Sequence, residues 1–264
     1  MTYDVHAIRY ATSIRPSSDY FLGDDPHDGP APIHYYIWLI RNAERTIVVD
    51  TGFHARRAAE RGRNYLRCPS EGLARLGVDC ADVDTVIVTH LHYDHAGNLD
   101  LFPNAQLILQ EEEMRHATGK LMRFAVIRAP FELEDVQTTV ARNYAGQVRF
   151  VDGDAPVAPG VSVVHVPGHS CGLQSVLVET ARGRLCLASD AAHFYDNVRL
   201  QSPFPITVNV GAALEGQERV AALAGRPELL IPGHDPRVAE LYPAHPDDAD
   251  IFEVSADPLG PIPL

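Results

Sequence analysis

Between Thr89 and Asn98 the chain reads Thr-His-Leu-His-Tyr-Asp-His-Ala-Gly-Asn, so His90, His92, Asp94 and His95 fall within a few positions of one another. Imidazole and carboxylate are ligands for divalent cations. Held close together without a cation, they would carry a heavy desolvation and repulsion cost. Positions 90 and 92 can project to one side of an extended segment, and a tight turn would bring 94 and 95 to a neighbouring position. One loop could therefore serve two metal ions. A single histidine at a strand end is more often a hydrogen-bonded structural residue, but a cluster of this density is not explained that way.

Three further candidates stand alone in the sequence. His169 closes Val166-Pro-Gly-His, Asp190 closes Ala188-Ser-Asp, and His234 closes Ile231-Pro-Gly-His. Each follows an apolar run, then a sharp turn. Loops at strand ends are where a rigid scaffold presents reactive groups.

The elements that must position these residues are legible in outline. Val83 to Thr89 is an apolar, β-branched run and reads as a buried strand leading into the histidine cluster. Strands are predicted at His34–Arg41 and Arg45–Asp50, with Asn42 and Ala43 as the hairpin connection. Others are predicted at Gln106–Leu109, Gln147–Val151, Val161–Val166, Leu173–Glu179, Arg184–Ala188 and 228–231. Asp152-Gly153 and Arg182-Gly183 supply turns. Helices are predicted at 54–62, 70–77 and 212–224. Residues 110–145 read as helices crossed by one break, and 15–33 as a long loop rich in Pro, Asp, Gly and Ser. The segment beyond His234 carries six prolines and is expected to wrap the surface. Strands, inserted helices, then strands again predict two packed sheets covered by helices in one domain spanning 1–264.

Composition narrows the function. The 264 residues include 22 basic and 35 acidic side chains, a net charge of -13. Such a chain repels phosphate backbones and anionic lipid headgroups, which argues against nucleic-acid and membrane partners. The first residues lack the ~7–15-residue apolar stretch of a signal peptide, and the longest apolar cluster, Tyr35–Ile40, is only strand-sized. A cytoplasmic location is expected. Cys68, Cys80, Cys171 and Cys186 form no C-x-x-C pair, so reduced, mostly buried thiols are expected rather than a thiolate metal site.

The pattern His90-x-His92-x-Asp94-His95, then His169, Asp190 and His234, with Asp50-Thr51-Gly52 upstream, resembles the metallo-β-lactamase superfamily. The resemblance covers about residues 34 to 236. It implies an α/β fold, the αββα sandwich of the metallo-β-lactamase fold, with metals at one edge. It also implies that His90, His92 and His169 bind one metal, that Asp94, His95 and His234 bind the other, and that Asp190 bridges them. Asp50 would orient a ligand histidine. The nitrogen and oxygen ligands suit two divalent ions, zinc foremost, with iron, cobalt or manganese also compatible. Such a pair would lower the pKa of a shared water towards ~7, and Asp94 would orient it or carry its proton.

Within the superfamily, residues 90–98, Pro167-Gly-His-Ser170, Ser189-Asp-Ala191 and Pro232-Gly-His-Asp235 resemble the acyl-homoserine lactonases. This implies a small-molecule lactone or ester substrate, opened to a hydroxy acid, and a homodimer by resemblance alone. One departure is clear: those lactonases commonly have tyrosine three residues after the bridging aspartate, where this chain has His193. Either His193 would donate a hydrogen bond to the substrate or Tyr195 would reach in, although on a helix Tyr195 would point away. The alternatives are a thioesterase resembling glyoxalase II and an iron-dependent redox member. The first is disfavoured because only 30 residues follow His234. The loop around Tyr20–Leu22 and the segment Met114–Phe131 are candidate walls of an acyl pocket.

Overall fold

The computed structural model describes residues 1–25 and 27–264. The chain opens with β1 (Asp4–Pro16), β2 (Pro30–Arg41) and β3 (Thr46–Val49), followed by the short β4 (Asn64–Tyr65). Then come β5 (Thr85–Ile87), β6 (Gln106–Gln110) and β7 (Val148–Val151). A second group comprises β8 (Ala155–Ala158), β9 (Val161–His165), β10 (Gln174–Thr180), β11 (Gly183–Ser189) and β12 (Leu230–Pro232). The chain returns to the first sheet as β13 (Ala244–His245) and β14 (Asp248–Glu253). The first sheet runs β13-β14-β1-β2-β3-β5-β6-β7, with β4 beside β1, and the second runs β12-β11-β10-β9-β8.

Strand alternation divides the first sheet between two cores. Tyr36, Trp38 and Ile40 of β2 face the second sheet, together with Val5, Ala7, Val49, Ile87 and Ile108. Their neighbours Tyr35, Ile37 and Leu39 face the opposite way and pack with Val48, Val86, Leu107 and the helix residues Ala58 and Leu73. Successive residues of a strand point to opposite faces, so one apolar run can serve both cores. On the far side of the second sheet, the helix Val210–Ala224 packs against β11 and β12. Helix, sheet, sheet, helix is the predicted αββα order.

The differences from sequence expectation lie at the two ends of the chain and within residues 110–145. The predicted loop 15–33 is shorter, because β1 and β2 stay paired from Asp4↔Arg41 out to Pro16↔Pro30. β1 is not marked in the sequence, because its bulge between Arg9 and Ala11 breaks the alternation on which a strand is recognised. The proline-rich C-terminal segment does more than cover the surface: β14 pairs with β1 through His6↔Glu253 to Ile8↔Ile251. Residues 110–145, read as helices crossed by one break, hold the helices Glu111–Ala117, Ala125–Arg128 and Leu133–Tyr144, with more than one break between them. No helix of the described residues is long and apolar enough to cross a membrane.

Candidate metal centre

The C-terminal ends of four strands converge at one edge of the two sheets. The chain leaves β5 at Ile87 and delivers His90 and His92. The one-turn helix Tyr93–Ala96 then presents Asp94 and His95. From the second sheet, the turns after β9, β11 and β12 deliver His169, Asp190 and His234. All seven residues predicted as metal ligands are thus brought together. His90, His92, His169 and Asp190 place their ligand atoms within 4.8 Å of one another, as do Asp94, His95 and His234.

Asp190 lies at the centre, and its two oxygens face different histidines. Oδ2 lies 3.1 Å from His169 Nε2 and 3.6 Å from His90 Nε2. Oδ1 lies 3.1 Å from His234 Nε2 and 3.3 Å from His95 Nε2. Asp94 approaches His95 and His234 at 3.8 and 4.0 Å. Burial alone would push the Asp190 carboxyl up, but His193, His95, His234 and His169 around it hold it well below the ordinary carboxylate range. Burial, reinforced by neighbouring imidazoles, drives His90 and His92 well below the usual histidine range. Burial also opposes charge on His95 and His234, yet the carboxylates around them together raise both: Asp190, Asp50 and Asp94 for His95, Asp190 and Asp94 for His234.

The layer behind the cluster fixes which ring nitrogen faces inward. Asp50 Oδ2 lies 2.7 Å from His95 Nδ1, and Asp50 also accepts hydrogen bonds from the Thr89 amide and hydroxyl. The His34 carbonyl lies 2.8 Å from His234 Nδ1. Each outer contact turns Nε2 towards the centre, as metal-binding histidines require. His90 Nε2 and His95 Nε2 are buried and without a hydrogen-bond partner among the described residues. A buried ring nitrogen is rarely left without a partner, and a cation bound at each of these nitrogens would satisfy it. The donor set therefore fits a pair of divalent metals.

Backbone conformation supports this placement. Asp50 adopts φ 61 and Ser189 φ 48, left-handed positions immediately before Thr51 and Asp190. Gly52, at φ 67, is pressed so closely to Tyr10 that a Cβ would lie 2.9 Å from the ring carbon Cζ. The Asp-Thr-Gly segment is then pinned to the ligand loop, with the Thr51 amide and hydroxyl both donating to the His95 carbonyl.

Sequence reasoning missed Glu113. It is fully buried, accepts from the Leu91 amide through Oε1 and accepts from the Gly172 amide through Oε2, both at 2.9 Å. One carboxylate thus ties the segment between His90 and His92 to the segment after His169. A glutamate in the run Glu111-Glu112-Glu113 carries no sequence sign that one of the three points inward.

The two candidates for the tyrosine position part company. His193 Nε2 lies 3.0 Å from Asp190 Oδ2, and its ring stacks flat on Phe204 at 3.8 Å. Burial lowers its pKa to about 4 against the pull of Asp190. Tyr195 instead begins the helix Tyr195–Arg199, and its ring packs beneath the Arg237 guanidinium. Its expected reach into the site is corrected: the helix start turns it away, and it does not line the cavity. That cavity, about 260 Å³, is lined by His92, Asp94, His169, Asp190, His193 and His234 and walled by Tyr35, Arg61, Arg63, Val126, Phe204 and Ile206. Of the two predicted pocket segments, Met114–Phe131 contributes Val126, Ala129 and Pro130, whereas Tyr20 lines an adjoining groove.

Known proteins resemble this chain in sequence and in fold. An N-acyl homoserine lactonase of Bacillus cereus is 29% identical over 184 residues, 64% of this chain and 68% of that protein. One from Bacillus thuringiensis is 33% identical over 133 residues, and the match spans only 48% of that relative's length. A solved quorum-quenching N-acyl homoserine lactone lactonase superposes with a TM-score of 0.76 at 24% identity, covering 90% of this chain and 94% of the other. An N-acyl homoserine lactone hydrolase with N-hexanoyl-L-homoserine bound at its catalytic metal centre gives 0.75 at 24%, covering 90% and 95%; these two likenesses establish the fold. Residues 31–234, which carry every member of the cluster, match the family model of the metallo-β-lactamase superfamily, and the chain belongs to that superfamily.

Proposed function

We propose that the protein is a dinuclear metal-dependent hydrolase that opens a lactone to its hydroxy acid. The observation that carries this reading is the division of labour at Asp190. One oxygen faces His90 and His169 while the other faces His95 and His234, the geometry expected of a carboxylate shared by two cations. His90, His92 and His169 would hold one, Asp94, His95 and His234 the other. The nitrogen and oxygen donors favour zinc. When bound, such a pair supplies Lewis acidity and makes water a nucleophile at neutral pH.

The chain's own residues supply the rest. Asp94 is the least buried of the seven and lines the cavity, placed to accept a proton from the attacking water and return it to the leaving oxygen. His193 carries its Nε2 on the same wall, and we assign it the hydrogen bond to the lactone carbonyl oxygen. Its contact with Asp190 competes with that role. Phe204, stacked on His193, fixes the plane of the imidazole and keeps water from that face. The reaction consumes one lactone and one water and releases a hydroxy acid, with one proton at neutral pH. The N-acyl homoserine lactonases among the relatives support a lactone over other esters. The four free cysteines fit a reducing cytoplasmic location.

A pH-indicator assay on metal-replete protein tests the reading with γ-butyrolactone, acyl-homoserine lactones and larger lactones, alongside a thioester and a phosphodiester. Proton release with the lactones is expected. Cleavage of the thioester or phosphodiester without opening of any lactone would remove the lactonase assignment. Metal content near two ions per chain is expected from elemental analysis.

A further inference from the structure

Two arginines line the cavity, and they differ in how their charge is met. Arg61 is answered by Glu132, which its Nε and Nη2 reach at 3.1 and 2.5 Å, and its guanidinium lies 3.9 Å from the centre of the Tyr93 ring. Arg63 meets no carboxylate at ion-pair distance among the described residues. Its contacts are neutral: Nε donates to Tyr93 Oη at 3.2 Å, Nη1 donates to Ser13 Oγ at 3.4 Å, and the Tyr35 ring lies 5.8 Å away. In a chain of net charge -13, an arginine without an acidic partner inside the reaction cavity calls for a ligand.

The side chain is held in place rather than free to swing. Gly62, at φ 62, turns the backbone so that the Arg63 amide donates to the Ala58 carbonyl, and the next two residues, Asn64 and Tyr65, are bound to β1. Tyr93, which receives Nε, sits between His92 and Asp94, so Arg63 is anchored to the ligand loop itself. Nη2 makes no hydrogen bond to protein among the described residues. Arg63 stands where the 260 Å³ cavity meets a groove of about 340 Å³, which shares Ile33, Tyr35, Phe204 and Ile206 with it. The other charged groups around this junction are Asp94 in the cavity, Arg61 beside it, and Arg15 in the groove, the last paired with Asp19.

We propose that Arg63 binds a carboxylate carried by the substrate, which makes the preferred substrates small anionic lactones rather than neutral ones. A planar guanidinium restrained by two neutral contacts keeps N–H donors available for a carboxylate and loses little entropy on binding it. The small cavity places that carboxylate and the ring carbonyl in one compact molecule. The inference rests on the lactone-opening reading, and the experiment separates the two.

In metal-replete enzyme, kcat/KM is compared for 5-oxotetrahydrofuran-2-carboxylate and its methyl ester, with neutral γ-butyrolactone as reference. In parallel, calorimetry measures binding of the ring-opened products 2-hydroxyglutarate and 4-hydroxybutyrate, which differ by one carboxylate on the hydroxyl-bearing carbon. The wild type is expected to favour the carboxylated lactone over its methyl ester by at least about tenfold, and 2-hydroxyglutarate likewise, with both ratios shrinking as salt is raised. In Arg63→Met both ratios collapse towards one; Arg63→Lys, which keeps the charge but loses the planar fork, retains part of each. A melting curve on each variant separates loss of the site from loss of the fold. Ratios near one in the wild type, or unchanged in Arg63→Met, overturn the assignment while leaving lactone opening intact. An Arg63-dependent preference for 2-hydroxyglutarate with no lactone opened has the opposite meaning: the anion site stands and the lactonase reading falls.

Discussion

The floor of the cavity and its outer rim are built on opposite principles. On the floor, His90, His92, His95, His169, Asp190, His193 and His234 are all buried, and behind them Asp50, Thr89 and Glu113 are buried too. Outer contacts come from backbone groups or buried carboxylates, as with Asp50 on His95 and Glu113 on the Leu91 and Gly172 amides. The apolar part of the rim is open: Val126 is 81% exposed and Ile206 46%. Few contacts hold the rim, so its residues can change without disturbing the floor. The contrast teaches that the chemistry sits on positions fixed from several directions, whereas the exposed apolar positions of the rim are fixed from few.

Removing the central charge should break this arrangement most severely. Asp190→Asn keeps the shape but removes the anion that would hold two cations together. A loss of kcat/KM of about 10³-fold or more is expected, because several kcal/mol of transition-state stabilisation goes with the metals. Elemental analysis alongside steady-state kinetics checks that metal leaves with activity. His193→Phe keeps the stacking surface for Phe204 and removes one hydrogen-bonding group. It should cost about 100-fold, the ~3 kcal/mol typical of one donor to developing charge, with metal content retained. Near-wild-type rates in both variants would remove the assignment at position 190.

Glu113 tests the layer behind the floor. Glu113→Gln replaces one of two accepting oxygens by an NH2 group that faces an amide N–H. The expected result is a loss of stability of about 1–3 kcal/mol, read from denaturant unfolding. Metal affinity should fall by about tenfold, read by competition with a chelator. Unchanged affinity would mean that the loops carrying His90, His92 and His169 hold their places without it. The smallest effect belongs to the rim. Val126→Ser should leave stability within about 0.5 kcal/mol and shift KM for the lactone substrate by about two- to fivefold, as expected for one partly covered side chain. A larger fall in kcat than in KM would show that the rim reaches the chemistry and that the division proposed here is wrong.

How much of this was legible in the sequence follows from the range of the interactions involved. The His90–His95 run announced itself because its ligands are neighbours in the chain, and the αββα order followed from strands whose apolar residues alternate or run continuously. His169, Asp190 and His234 could be named because each follows a strand and a sharp turn. Asp50, 40 residues before His90, was named only through the resemblance of its Asp-Thr-Gly segment to the superfamily. The strand β1 stayed hidden because a bulge interrupts its alternation, and β14 because its pairing partner lies near the other end of the chain. Glu113 and Arg63 sit among other charged residues of the same type, and nothing local distinguishes Glu113 from Glu111 or Arg63 from Arg61. The inward turn of one glutamate, and the lack of an acidic partner for one arginine, were decided by what the tertiary structure packs against them: the Leu91 and Gly172 amides in the first case, Tyr93, Ser13 and Tyr35 in the second. Residue type and spacing determined which groups this protein could use, and burial and long-range contact decided which way each of them points, because desolvation and hydrogen-bond satisfaction are properties of a neighbourhood and not of a segment.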